Sequence, residues 1–274
     1  MFLTDLPAPP VLLMKKGDQV NRKDSRTDSL FIAKLAEQAE RWDDVISQLK
    51  FIIDYSDAQL TIEERNLISI AYKNLTGDLR TSWRVIDTIE KQEQANKGAS
   101  RRELGLLRSE RERIEKELAA KCTELLELLE KVLLPAASIG EERVFYHKMQ
   151  GDYYRYLAEF AKRSNRDSSA TQALEAYKAA YKHALSTLEP WHPTRLGLAL
   201  NFAVFFRDVR ASPERACHLA KHAFDEAVLG LGQMPERAGK DSLVILQLLR
   251  DDLVLWAEEM AQQGEFLASY SMIW

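Results

Sequence analysis

The 274-residue sequence predicts an all-α fold, and three observations support that prediction. Glycine and proline are scarce, with 11 and 8 residues. The helix formers Ala, Leu, Glu, Lys, Gln and Arg dominate from Ser29 to Gln263. Helix start and stop signals divide this stretch into segments with short connections and no flexible linker. A single domain of stacked antiparallel helices is the simplest interpretation.

Several boundaries of the predicted helices have a physical cause. Thr61 stands before an acidic first turn, which is typical of a helix start. Pro193 and Pro213 fall at first-turn positions, where a helix tolerates a missing N–H group. Gly264 is expected to end the last helix. The predicted helices span residues 29–40, 42–56, 61–93, 100–130, 137–162, 167–187, 191–210, 213–231 and 239–261.

The two ends of the chain differ from this body. Residues 1–28 combine prolines with the polar stretch KKGDQVNRKDSRTD, which lacks apolar periodicity, and we expect a mobile extension. Residues 29–262 form the predicted helical domain. The tail 263–274 is apolar, and we expect it to pack back against the body.

Composition argues against several classes of partner. The 38 Lys and Arg residues against 42 Asp and Glu give a formal charge of -4, so no global basic field attracts nucleic acid. No apolar run reaches membrane-spanning length, and Asp5 interrupts the apolar N-terminus, so neither a span nor a signal peptide is predicted. Cys122 and Cys217 lack a CxxC partner, which argues against a disulfide framework. We expect a cytoplasmic protein without nucleic-acid or membrane partners.

Patterns of catalysis are missing from the sequence. It contains no GxSxG, Walker-type or GxGxxG motif. His218 and His222 lie four residues apart, a spacing compatible with a metal site, but an HExxH pattern and a third ligand are lacking. Helix-surface histidines are the better interpretation. The sequence therefore predicts a protein that is not an enzyme and needs no metal or cofactor.

Two predicted helices carry matched rows of cations. In RNLISIAYKNLTGDLRTSWRV, Lys73 and Arg80 lie seven residues apart on one helix face. In VFYHKMQGDYYRYLAEF, Lys148 and Arg155 repeat that interval, with Asp152 between them. Most surface cations are simply solvated. However, the second helix is rich in Tyr and Leu on all sides, so its cations are expected to be partly buried, and the guanidinium fork suits bidentate phosphate binding.

Two later helices carry apolar faces with isolated polar groups. Asn201 is the only polar side chain in LGLALNFAVFF, and Asp252 lies one turn from Leu248. A groove with one cationic and one apolar wall would hold an extended peptide: amide groups fix its main chain and the cations bind an anionic group. Alternatively, Asn201 is a hydrogen-bonded core or cap residue. The apolar faces comprise Leu200, Val204, Ile245, Leu248 and Trp256.

Six ordered segments resemble the 14-3-3 family: KLAEQAERWDD, RNLISIAYKN, GDYYRYLAE, HPTRLGLALNFAVF, AFDEAV and QLLRDDLVLW. The resemblance covers about residues 28–260. It implies nine antiparallel helices per subunit and a cup-shaped dimer with an amphipathic groove in each subunit. It also implies an adaptor that regulates client proteins by binding their phosphoserine or phosphothreonine segments, without catalysis.

The resemblance also assigns roles to residues of the groove. It implies that Asp152 orients the basic cluster. The resemblance implies that the phosphate is bound by Lys73, Arg80, Arg155 and Tyr156. It implies that the ligand main chain is bound by Lys148, Asn201 and Asp252. The implied apolar wall consists of Leu200, Val204, Ile245, Leu248 and Trp256.

Two groove positions depart from the family pattern. Asp252 stands where the family usually has Asn, and a carboxylate only accepts hydrogen bonds, so weaker or altered ligand selection is expected. Asp208 replaces a usual Glu and keeps its charge on a shorter side chain.

Dimerisation is a further implication of the resemblance. Leu35 and Ala39 match the family's apolar contacts between subunits, and Glu110 replaces a usual Tyr at the seam. The dimer is therefore expected to be weaker than usual. The implied ion pairs across the seam are Arg41 with Glu117 and Asp44 with Arg113.

A helical-repeat scaffold is the alternative from another class. ALEAYKAAYKHAL has the spacing of small and aromatic residues found in tetratricopeptide repeats. The period of about 34 residues that defines those repeats does not recur. This alternative predicts an α-solenoid that binds unmodified peptides, independent of phosphate.

Overall fold

The computed structural model describes residues 22–96, 100–161, 163–234 and 236–262. Within these ranges the chain forms nine helices and no strand, which confirms the predicted all-α class. None of these helices is long and apolar enough to cross a bilayer. The helices are α1 Arg22–Gln38, α2 Trp42–Tyr55, α3 Ile62–Ala95, α4 Arg101–Leu128, α5 Glu141–Phe160, α6 Arg163–Thr187, α7 Pro193–Asp208, α8 Pro213–Gly230 and α9 Glu236–Gln262.

Several helix ends differ from the prediction. Helix α1 begins at Arg22 rather than Ser29, and Arg26 within this polar stretch pairs with Glu64 of α3 at 2.5 Å. Helix α4 continues through a π-helical turn, Leu129–Leu133, and one more turn to Ala136, so α5 begins at Glu141 instead of residue 137. Residues 1–21 and the tail 263–274, with the predicted stop at Gly264, lie outside the described residues.

The predicted helix starts at Thr61, Pro193 and Pro213 are confirmed. Thr61 caps α3 in a capping box: its hydroxyl accepts from the Glu64 N–H at 3.2 Å, and the Glu64 carboxylate accepts from the Thr61 N–H at 2.7 Å. The two prolines occupy the first position of α7 and α8. These caps fix where the helices that carry the candidate groove begin.

Three adjoining apolar clusters form the core. The first contains side chains of the five helices α1 through α5, the second those of α5, α6 and α7, and the third those of α7, α8 and α9. Helices α5 and α7 therefore each belong to two clusters. Because packed interiors resist deformation, polar side chains on α5 and α7 are held in fixed positions.

A glycine allows α5 and α6 to approach closely. A Cβ atom at Gly151 would lie 2.7 Å from the Cδ1 atom of Tyr177 on α6. Such a contact is too short, so only glycine lets the Tyr177 ring lie against α5. This approach brings the Tyr177 hydroxyl to Asp152, the next residue of α5.

Candidate functional site

A basic cluster lies where α3 faces α5. The Arg80 guanidinium of α3 stacks over the Tyr156 ring of α5, with its Cζ atom 3.9 Å from the ring centroid. The Arg155 guanidinium approaches the same ring at 4.7 Å. Lys73 is exposed, and its side chain makes no hydrogen bond or ion pair with any described residue. The structure thus brings both arginines onto one aromatic ring, which orients their planes.

One carboxylate, Glu159, connects the arginines of this cluster. Arg80 donates to it through Nε at 3.0 Å and through Nη2 at 2.7 Å. Arg84 donates through Nη2 at 3.3 Å, and Arg155 through Nη1 at 3.4 Å. Glu159 was not predicted from the sequence, although its position four residues after Arg155 on one helix is a signal for such a pair.

Asp152 is buried at the centre of a hydrogen-bond network beside the cluster. Its Oδ2 atom accepts from Lys148 Nζ at 2.9 Å. Its Oδ1 atom accepts from the Tyr177 hydroxyl at 2.6 Å and from Asn201 Nδ2 at 2.8 Å. The Arg155 Nε atom in turn donates to the Tyr177 oxygen at 3.2 Å. Asp152 thus accepts hydrogen bonds from groups on α5, α6 and α7.

The charges of this centre stabilise one another. Burial opposes ionisation of Asp152, but the neighbouring Lys148 and Arg155 charges outweigh it and lower the pKa of the carboxyl. Burial also disfavours the charged form of Arg155, yet Tyr177 and Asp152 raise its pKa above the ordinary value. Both groups are therefore ionised at neutral pH. Tyr177 was missed by the sequence, because no spacing on α6 indicates which helix its hydroxyl meets.

The polar residues predicted to bind a ligand main chain differ in their free hydrogen-bonding groups. Asn201 donates one amide N–H to Asp152, which leaves its second N–H to donate to a ligand and its carbonyl oxygen to accept from one. Asp252 is half-buried and makes no hydrogen bond with any described residue. Burial raises the pKa of Asp252; Arg207 opposes this, and the charges of Asp208 and Asp251 reinforce it. Asp208 itself is exposed and accepts from Arg207 Nη1 at 3.1 Å.

The predicted apolar wall divides by exposure. Leu248 is 47% exposed, whereas Trp256 is 2% exposed and belongs to the core between α7 and α9. Gly197 connects the two walls, since a Cβ atom there would lie 3.7 Å from Lys148 Cε and 3.9 Å from Ile245 Cδ1. Leu200, Val204 and Ile245 are partly buried against the same core. Further exposed apolar side chains of α9, not predicted from the sequence, are Leu243, Val244, Val254 and Leu255.

The predicted dimer residues lie on exposed faces of α1, α2 and α4. Leu35 is 49% exposed, and Ala39 is exposed at the end of α1. The charged members pair within the chain: Arg41 with Asp44, and Arg113 with both Glu110 and Glu117. All of these pairs are solvent-accessible, so each is free to exchange partners at little cost.

Comparison with known proteins decides the family. A profile of 14-3-3 proteins matches residues 32–257. The chain belongs to the 14-3-3 family. It is 51% identical over 229 residues to 14-3-3 family protein artA of Aspergillus flavus, and the aligned residues make up 84% of this chain and 95% of that protein. It is 51% identical over 235 residues to 14-3-3 protein epsilon of Drosophila melanogaster, covering 86% of this chain and 88% of that one. Checkpoint signal transducer rad24 of Schizosaccharomyces pombe is 50% identical over 235 residues, 86% of each chain.

Family membership confirms the resemblance and the fold that it implied. The nine helices match the all-α 14-3-3 fold, for which a cup-shaped dimer is typical. The function predicted from the sequence, a phosphopeptide-binding adaptor, is that of the family. The alternative of a tetratricopeptide-like scaffold is not favoured by any of these relatives.

Proposed function

We propose that this 14-3-3 chain binds client proteins through a phosphoserine or phosphothreonine held by Lys73, Arg80, Arg155 and Tyr156. The observation that carries the proposal is that the Arg80 and Arg155 guanidiniums both lie over the Tyr156 ring, 3.9 and 4.7 Å from its centroid. The ring restricts how each guanidinium turns, and a planar guanidinium fork suits the oxygens of a phosphate. Lys73, exposed and unpaired among the described residues, adds a mobile cation on the α3 side.

Electrostatics supports a phosphorylated ligand over an unmodified one. A phosphoserine carries roughly -1.5 to -2 charges at neutral pH and three acceptor oxygens. Each hydrogen bond to a charged group contributes about 1.5–3 kcal/mol, so two arginines suffice for a large difference in affinity. A neutral serine hydroxyl offers the cluster no such partner.

The rest of the groove supports binding of an extended peptide. Lys148 can donate to a ligand carbonyl, and the free Asn201 oxygen can accept from a ligand N–H. Leu200, Val204, Ile245 and Leu248 offer apolar contacts beside them. The chain acts by binding and not by catalysis, since this arrangement holds an anion and offers no activated nucleophile beside it. We expect a cytoplasmic protein that needs no cofactor, metal, nucleic acid or membrane.

We also propose that the chain works as a homodimer through α1, α2 and α4. Phe31, Ile32 and Leu35 project from α1 with exposed fractions of 61%, 46% and 49%. Three large apolar side chains on one short helix form a patch that a second subunit would cover. Arg41 and Arg113 would then exchange their partners within the chain for Glu117 and Asp44 of the other subunit.

The test compares paired peptides. Fluorescence polarisation with an Arg-Ser-x-Ser-x-Pro peptide, phosphorylated or not at its second serine, should show binding of the phosphorylated form only. Arg80→Ala or Arg155→Ala should weaken that binding roughly tenfold to a hundredfold, the effect of losing one charge-assisted bond. Arg166→Ala, an exposed arginine of α6 outside the cluster, is the matched control and should change nothing. Equal binding of the two peptides would contradict the proposal, and release of phosphate would indicate an enzyme.

A further inference from the structure

We propose that Glu159 is a built-in competitor for the phosphate site, which lowers the affinity of this 14-3-3 chain for every anionic ligand. The inference rests on the proposed function, since it assumes that the cluster of Arg80, Arg155 and Tyr156 binds phosphate. It adds that the free site is already occupied by an anion of the chain. A ligand therefore exchanges with a carboxylate and does not enter an empty site.

The hydrogen bonds of Glu159 support the inference. Arg80 presents its fork to the carboxylate at 3.0 and 2.7 Å, the bidentate geometry that a phosphate would need. Arg84 and Arg155 add bonds at 3.3 and 3.4 Å. Four N–H donors of three arginines thus point at one carboxylate, whereas Lys73 has no partner among the described residues.

The side chain of Glu159 is partly exposed to solvent, so a ligand can displace it from the arginines. It is 19% exposed, against 8% for Asp152, so water reaches it. Asp152, by contrast, lies under the cluster and is held by Lys148, Tyr177 and Asn201. The two carboxylates therefore differ in role: Asp152 is fixed and orients the cations, while Glu159 sits on the donors that a ligand needs.

An internal competitor has a defined effect on affinity. When only a fraction of sites is free to bind, the apparent dissociation constant rises by the inverse of that fraction. A site paired with Glu159 for about 90% of the time binds a phosphate about tenfold more weakly than an unpaired one. In the wild-type chain an acidic side chain of a ligand binds the arginines with little net gain in free energy, because it replaces the Glu159 carboxylate with another carboxylate. Competition from Glu159 thus keeps the affinity for carboxylate ligands low, whereas a phosphate, with more charge, still displaces Glu159.

The test removes the competing charge with Glu159→Gln and measures four peptides of one sequence by isothermal titration. Their central residue is phosphoserine, sulfoserine, glutamate or serine. We expect the variant to bind the phosphoserine peptide about tenfold tighter, equal to about 1.4 kcal/mol. The sulfoserine and glutamate peptides should also gain, and the serine peptide should not. Glu175→Gln is the matched control, because it removes the same charge from an exposed pair with Lys178 on α6.

The outcomes separate this inference from the proposed function. If the wild-type chain does not distinguish phosphoserine from serine, the proposed function fails. If it does, but Glu159→Gln binds phosphoserine equally or more weakly, Glu159 positions Arg80 and the competitor is refuted. An equal gain for the serine peptide would refute it too, since the gain must depend on an anion. If Glu159→Gln fails to fold, Glu159→Asp is the second variant, since it keeps the charge on a shorter side chain. Its affinity for the phosphoserine peptide should rise, but by less than tenfold. A lower affinity than wild type would overturn the inference.

Discussion

Asp252→Asn should strengthen ligand binding. The Asp252 carboxylate is half-buried and has no hydrogen-bond partner among the residues that the structure describes. Asn201 donates one N–H of its amide to Asp152 and keeps the other N–H and its carbonyl oxygen for a ligand. The ionised Asp252 side chain offers a ligand main chain only acceptors, so a ligand carbonyl group beside it finds no donor there. An asparagine at position 252 would supply that donor.

The magnitude follows from one added hydrogen bond. A neutral hydrogen bond contributes about 0.5–1.5 kcal/mol net, which corresponds to roughly two- to tenfold in the dissociation constant. Removing a negative charge from a groove that binds an anionic ligand acts in the same direction. We therefore expect the variant to bind a phosphopeptide at the upper end of this range.

Isothermal titration with one phosphopeptide measures the difference. Asp251→Asn is the control, because it removes the same charge from the exposed neighbouring residue without adding a donor at position 252. If the control gains as much as Asp252→Asn, the effect is electrostatic and the hydrogen-bond argument is refuted. Equal affinities for wild type and Asp252→Asn would refute the role of position 252 altogether.

The pH dependence adds a second readout. Burial raises the pKa of Asp252, so its carboxyl takes up a proton at a higher pH than an ordinary aspartate. A protonated carboxyl donates a hydrogen bond, as an amide does. The ratio of affinities between variant and wild type should therefore shrink as the pH falls towards that raised pKa. Protonation of the phosphate affects both proteins equally and cancels in the ratio.

Three further predictions concern stability and assembly. Asp152→Asn should lower the free energy of unfolding by about 3–5 kcal/mol in urea titrations at pH 7, as for a broken buried ion pair. The pKa of Asp152 is lowered in the folded protein, so this stabilisation is complete above the unfolded pKa of about 3.9 and is lost as the pH falls through the folded pKa. The difference in unfolding free energy between variant and wild type should therefore close in acid. Thr61→Ala should reduce stability by about 0.5–2 kcal/mol through loss of the α3 cap, and an unchanged urea midpoint would contradict the capping box. Leu35→Glu should convert the dimer to monomer in sedimentation at micromolar concentration without a change in helix content by circular dichroism, whereas an intact dimer would contradict the proposed interface.

The sequence predicted the cationic side of the site because helix periodicity is local. Lys73 and Arg80 share a face of α3 by spacing alone, and Lys148 and Arg155 do so on α5. The structure places the Arg80 and Arg155 guanidiniums over the Tyr156 ring, and the binding of phosphate that the resemblance implied for these residues stays a prediction. The intervals were sufficient because each helix is long and regular.

The contacts between helices could not be predicted in the same way. Tyr177 reaches Asp152 only because Gly151 admits its ring, and nothing in the α6 sequence indicates that approach. The Arg80 partner, Glu159, lies on another helix and depends on how α3 packs against α5. Tertiary neighbours of this kind follow from packing rather than from spacing.

Helix ends were the least predictable part of the fold. Helix α4 runs past its predicted end because buried Leu129 and Leu133 keep it docked in the core. A π-helical turn through these residues accommodates Pro135, which would otherwise interrupt the helix. At the other end of the chain, α1 begins before Ser29, and Arg26 in that added stretch pairs with Glu64 of α3, a contact that local sequence does not show.

The affinity ratio of wild-type protein for one peptide with and without its phosphate tests the central claim most directly. If Arg80 and Arg155 hold a phosphate beside the Tyr156 ring, the phosphorylated peptide binds at least about tenfold tighter, because two charge-assisted bonds of about 1.5–3 kcal/mol each are formed and competition from Glu159 offsets about 1.4 kcal/mol of that gain. The ratio should fall as salt is raised, since the ions screen the charges. A ratio near one at low salt would contradict the account.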